Sequence, residues 1–120
     1  YLKGKMYNKN NIFAKIIRGE IPCDKIYEDD EVLFFYDINP VAKIHVLAIP
    51  KKPCLDYSDF ILKNDAKLVS EFFNKIDMVI GKLGIKKNGY RIISNSGKDG
   101  GQEVPHFHFH ILGGEKIGPQ

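Results

Sequence analysis

Three of the four histidines in this 120-residue chain stand in one run, His106-Phe107-His108-Phe109-His110. Successive side chains of an extended strand point to opposite faces. A strand over residues 106–112 therefore sets three imidazoles on one face and Phe107, Phe109 and Ile111 on the other. Three histidines in register are poor core residues, because each buried polar group left without a partner costs about 1–3 kcal/mol. A selected site explains the run better than packing does. Two chemistries suit it. In the first, two imidazoles share a metal ion. Neighbouring histidines would lie roughly 6.6 Å apart and the outer pair roughly 13 Å. All three would not easily share one ion, and His45 is the only further histidine. In the second, a neutral imidazole attacks phosphorus. Its unperturbed pKa of about 6.5 leaves it largely neutral near pH 7. A phospho-histidine intermediate divides one hard displacement into two easier ones. The neighbouring histidines then orient the nucleophile, bind phosphate oxygens or move a proton.

The loop Ser96-Gly97-Lys98-Asp99-Gly100-Gly101-Gln102 leads into the run. Glycine lets a backbone curl and aim N–H groups at an anion, where they stabilise charge developing in a transition state. A Gly-Gly pair alone marks only a turn. Placed five residues before His106, it favours the phosphorus reading.

The elements that position these residues follow from periodicity. Ile12, Ile16 and Ile17 form a short helical stripe with Asn11 as N-cap, ended by Gly19 and Pro22. Residues 27–28 and 32–36 read as strands around Asp29-Asp30, and residues 45–49 as a strand closed by Pro50. Leu68, Val69, Phe72, Phe73, Ile76, Val79, Ile80 and Leu83 recur at three- and four-residue spacing, which predicts a long helix over residues 65–83 stopped at Gly84. Residues 90–94 and 106–112 are the remaining strands. The expectation is an α+β domain: a mainly antiparallel sheet of about five strands, with one long and one short helix on one face.

Composition sets limits. With 43% hydrophobic and 28% charged residues, the chain fits one globular domain, with residues 1–10 read as a polar N-terminal tail and residues 11–120 as the domain. Met6 is a candidate native start. A net charge of +3, spread over spaced lysines, gives no footprint for DNA or RNA. Cys23 and Cys54 form no disulfide framework, no apolar run reaches the roughly 20 residues of a membrane span, and residues 1–10 are polar, with no apolar signal core among them. A reduced cytoplasmic protein is expected.

The run His106-Phe107-His108-Phe109-His110-Ile111-Leu112 resembles the motif of the histidine triad (HIT) family, in which three histidines alternate with apolar residues. The likeness extends over roughly residues 11–118. Ile12-Phe13-Ala14-Lys15-Ile16-Ile17, Gly19-Glu20-Ile21-Pro22 and Tyr27-Glu28-Asp29-Asp30 are similar to the family's N-terminal block. Asp37-Ile38-Asn39-Pro40 and His45-Val46-Leu47-Ala48-Ile49-Pro50-Lys51-Lys52 are similar to its middle, while Gly100-Gly101-Gln102-Glu103-Val104 and Leu112-Gly113-Gly114 are similar to the Hint branch. The resemblance implies a homodimer with a joined sheet, needing no cofactor and no metal. It implies a hydrolase of purine nucleoside 5′-phosphoramidates and aminoacyl adenylates that releases AMP or GMP. His108 would be the nucleophile and become nucleotidylated. His110 would contact the phosphate, and His106 and His45 would support the site. Asp37 would meet the ribose, Ile38 the base, Asn95 the phosphate side, and Gly101, Gln102 and Glu103 the phosphate loop.

The chain also departs from the pattern. Glu103 replaces a common serine, and a carboxylate cannot donate the hydrogen bond that a hydroxyl can. Pro105 stands where an aromatic is common. Asn11, Ala14 and Pro53 occupy positions where some members carry the ligands of a structural zinc, so that site is not expected. His110, and not glutamine, points to the hydrolases over the nucleotidylyltransferases. The competing expectations are a dinucleoside polyphosphate hydrolase on the same scaffold and a nucleotide-binding scaffold protein with vestigial activity.

Overall fold

A computed structural model describes residues 6–119. Its elements in chain order are α1 (Ile12–Ile17), β1 (Lys25–Glu28), β2 (Val32–Tyr36), β3 (Ile44–Pro50), α2 (Tyr57–Lys63), α3 (Ala66–Leu83), β4 (Tyr90–Ile93) and β5 (Phe109–Gly113). The five strands form one antiparallel sheet in the order β1-β2-β3-β5-β4. The α+β class and the strand count agree with expectation. No described helix is long and apolar enough to cross a membrane.

Local chemistry sets the boundaries. Asp65 caps α3 by accepting the Leu68 N–H, and Gly84 ends it with φ +72°, the left-handed turn that glycine adopts freely. Asn11 caps α1 by accepting the Ala14 N–H at 2.9 Å. Residues 7–10, read as tail, are held: Asn8 accepts hydrogen bonds from both the backbone and side chain of Asn11.

Two expectations about the helices are corrected. Among the described residues there are three, not two. α2 was missed because it has only seven residues, and its apolar members Phe60-Ile61-Leu62 are consecutive and show no period. The helices also do not share one face. Phe60 of α2 and Phe72, Ile76, Val79 and Ile80 of α3 pack on Phe34, Val46, Ala48, Phe109 and Ile111. Phe13 and Ile16 of α1 pack on the opposite face, against Leu33, Phe35, Leu47 and Ile49. That second face is the one carrying His45 and His110.

The histidine run is corrected as well. The β5 ladder begins at Phe109, opposite Ala48, so His106 and His108 precede it. Two residues further along this register Pro50 would face Phe107, and proline has no N–H to donate. The Phe107 N–H bonds instead to the Cys54 carbonyl at 2.8 Å. The alternation survives the break. Phe107 and Phe109 still point toward α2 and α3, and the histidines still point away.

Candidate active site

Each imidazole is held by partners that decide which nitrogen carries its proton. A carbonyl oxygen can only accept, so the ring nitrogen facing it must donate. His108 Nδ1 lies 2.7 Å from the His106 carbonyl and therefore bears hydrogen, leaving Nε2 with a free lone pair. The Ser94 hydroxyl donates to the His108 carbonyl at 3.2 Å and steadies the same stretch from β4's side. His106 Nε2 donates to the Pro50 carbonyl at 2.7 Å, and His106 Nδ1 accepts from the Tyr7 hydroxyl at 2.5 Å. His45 Nδ1 accepts the Val41 N–H at 3.1 Å, so its hydrogen sits on Nε2. That hydrogen is directed to His110 Nδ1, 2.9 Å away. His110 in turn keeps its hydrogen on Nε2.

Burial keeps all four rings neutral near pH 7. His106 is 0% exposed, and desolvation pushes its pKa down to about 4. His110 is also pushed down to about 4, first by desolvation and then by the neighbouring His108 and His45. His45 is lowered by burial, against the pull of Asp37. The 3.4 Å approach of His45 Nε2 to Asp37 Oδ2 is thus a contact between a neutral ring and a carboxylate, not an ion pair. His108 is lowered by burial, which outweighs the His106 carbonyl and the charges of Asp37 and Glu103 acting the other way.

These groups open onto a cavity of about 630 Å³ on the α1 side of the sheet, within the usual size of a small-molecule site. The structure brings His45, His108, His110, Asp37, Ile38, Asn95, Gly101 and Glu103 to its wall. His106 and Gln102 do not line it. His106 is buried behind His108. Gln102 braces the loop: its oxygen accepts the Gly97 N–H, and its amide donates to the Leu55 and Val104 carbonyls.

The expected backbone donors of the glycine loop are largely spent. The Gly101 N–H bonds to the Lys98 carbonyl at 3.1 Å and the Gln102 N–H to the Gly97 carbonyl at 3.0 Å. Asn95 donates to the Gly100 carbonyl at 2.8 Å. Gly100 is needed for closure, since a Cβ there would lie 2.2 Å from the Ser96 carbonyl oxygen. Asp37 serves a turn and the cavity together: Oδ1 accepts the Asn39 N–H at 2.8 Å, while Oδ2 faces His45.

The sequence reading missed the apolar wall, formed by Ile12, Phe13 and Ile16 of α1 with Ile21, Phe35 and Leu47. The i, i+4 pair Ile12 and Ile16 was its available signal. Phe13 meets His108 edge-on, with centroids 4.9 Å apart. Tyr7, which closes over His106, was missed too. For metal, the residues that converge are Asp37, His45 and His110, whose ligand atoms lie within 4.8 Å of one another. Only His110 of these belongs to the histidine run, and its nitrogen and that of His45 are already bridged by a hydrogen bond.

An antiparallel sheet with inward histidines at the end of its fourth-placed strand defines a class, and comparison with known proteins agrees. The chain belongs to the HIT family, whose domain matches residues 18–117. It is 48% identical over 112 residues to an uncharacterised HIT-like protein of Rickettsia prowazekii, covering 93% of each chain. It is 40% identical over 111 residues to the purine nucleoside phosphoramidase of Escherichia coli K12, covering 92% of each. Among solved structures, a histidine triad protein from Clostridium difficile superposes with a TM-score of 0.86 at 44% identity, over 96% of this chain and 99% of that one. A HIT family hydrolase from Clostridium thermocellum gives 0.85 at 40% identity, over 94% and 97%.

Proposed function

We propose that the protein hydrolyses nucleoside 5′-phosphoramidates and aminoacyl adenylates, releasing AMP or GMP through a nucleotide bound covalently to His108. One observation carries the reading: the His106 carbonyl takes the Nδ1 hydrogen of His108, which leaves a neutral Nε2 lone pair at the cavity wall. On a phosphoramidate, Nε2 forms a bond to phosphorus while the bond to the leaving nitrogen breaks, and the amine departs with a proton taken from solvent. Water then attacks phosphorus and returns a proton to solvent, the Nε2–P bond breaks, and the nucleotide leaves with His108 neutral again. His110 keeps an Nε2–H to donate to a phosphate oxygen, and His45 holds that ring in place. Asp37 offers acceptor oxygens to the ribose hydroxyls. Ile38 and the α1 wall supply apolar surface for the base, and Asn95, Gly101 and Glu103 border the phosphate. The phosphoramidase relative in Escherichia coli supports the substrate class.

The test is rapid quenching of the protein during turnover of adenosine 5′-phosphoramidate, followed by peptide mass spectrometry. A nucleotidyl group on the His108 peptide is expected. Turnover with the adduct on another residue would overturn the assignment. Binding of AMP with no turnover of any substrate would favour the scaffold reading.

A further inference from the structure

The cavity is unusual in its charge. A site for phosphate commonly offers a lysine or arginine. None lines this one among the described residues. Its histidines are neutral, and among the described residues its only charged side chains are the carboxylates of Asp37 and Glu103. Asp37 is partly engaged, through Asn39 and His45. Glu103 makes no ion pair or hydrogen bond among the described residues, yet it lies near enough to His108 for its charge to act on that ring. Glu103 is exposed at the cavity wall, so its charge acts through water on the group that leaves beside His108, and a cationic leaving group would meet it favourably.

We propose that Glu103 selects substrates by the charge of the leaving group, favouring nucleoside 5′-phosphates whose leaving group carries an ammonium and rejecting those whose leaving group is itself a phosphate. The proposal rests on the hydrolase reading and narrows it. An aminoacyl group with its free α-ammonium, or a diamine linked to phosphorus through one nitrogen, has the required charge. A polyphosphate brings more negative charge into a cavity that already holds two carboxylates, and this separates the phosphoramidate reading from the dinucleoside polyphosphate one by electrostatics. Serine at this position would leave only Asp37 as a fixed charge and make the site more permissive.

The test compares adenosine 5′-phosphoramidates of a monoamine and of a diamine of equal length, with diadenosine tetraphosphate as the anionic counterpart. The diamine substrate is expected to have the higher kcat/KM by about fivefold, the size of one exposed ion pair, and the preference should shrink as salt is raised. Glu103→Gln should bring the ratio near one, and Glu103→Lys should invert it and raise relative activity on the tetraphosphate. Glu71→Gln, on α3 across the sheet, removes the same charge from the protein and should keep the wild-type ratio. A wild-type ratio near one, or a ratio that Glu103→Gln leaves unchanged, overturns the proposal. If neither phosphoramidate is turned over, the hydrolase reading fails. Calorimetric affinities of the same two compounds then decide charge selection by the same ratio.

Discussion

The two faces of the chain around β5 are made from one stretch of sequence and use opposite physics. Toward α2 and α3, Phe107 and Phe109 join Phe60 and Phe72 in a layer of rings with centroids between 4.7 and 6.0 Å apart. That face needs no polar partner and stabilises through buried area and ring contact. Toward α1, imidazoles are buried among hydrogen bonds that fix their protons. That face adds little net stability, since buried neutral histidines give up their hydration. Through alternate residues of the same backbone, the aromatic face lends the histidine face the rigidity that buried imidazoles do not supply themselves.

The comparison can be broken from either side. His108→Asn should reduce phosphoramidate turnover by at least about 10³-fold while leaving the unfolding midpoint near that of the wild type. Full activity in that variant would end the nucleophile assignment. Phe107→Ala should do the reverse, lowering stability by about 3–5 kcal/mol in denaturant titrations. A loss under about 1 kcal/mol would show that the aromatic face is not the source of rigidity.

Acid should act through the histidine face. His106, pushed down to about 4 when folded, returns to about 6.5 when unfolded. Between those values the unfolded state binds the extra proton, so stability rises with pH across the window and falls as acid is added. The loss is complete below about pH 4 and amounts to about 3 kcal/mol for this residue. His110, also pushed down to about 4, acts in the same direction. Denaturation measured from pH 8 to pH 4 should give a flat upper limb and a fall below about pH 6.5. A flat profile throughout would mean that these rings are not buried neutral. The smallest effect is expected for Tyr7→Phe, which removes the hydroxyl on His106 and should cost about 1 kcal/mol by the same titration.

Much of this was legible in the sequence. The long helix announced itself through eight apolar positions at helical spacing, and the Asp65 and Gly84 boundaries follow from ordinary capping chemistry. The alternation of Phe107 and Phe109 with the histidines gave the division between the faces before any coordinates. Other features depended on contacts between distant residues. Nothing in Ile12–Ile17 says which side of the sheet a six-residue helix will cover, so the apolar wall of the cavity was lost with it. The separate roles of the histidines rest partly on the Pro50 carbonyl and the Tyr7 hydroxyl, 56 and 99 residues from His106, and partly on the nearby His106 carbonyl and Val41 N–H, whose alignment no residue type announces. Gln102 is expected at the phosphate by its place in the glycine loop, while its hydrogen bonds reach the Leu55 carbonyl, 47 residues away, as well as its neighbours Gly97 and Val104.

The missing donor at Pro50 has a consequence for motion. In terms of amide hydrogen exchange, the segment bearing His108 stands outside the cooperative β3–β5 ladder, since the Phe107 amide hangs on the Cys54 carbonyl and not on a strand. Opening it need not unzip the ladder, but it must break that contact and the ring bonds around it and draw Phe107 out of the aromatic layer. In the proposed reaction His108 would therefore stand on a segment anchored by side chains and single hydrogen bonds, beside a ladder that is paired from Phe109 onward.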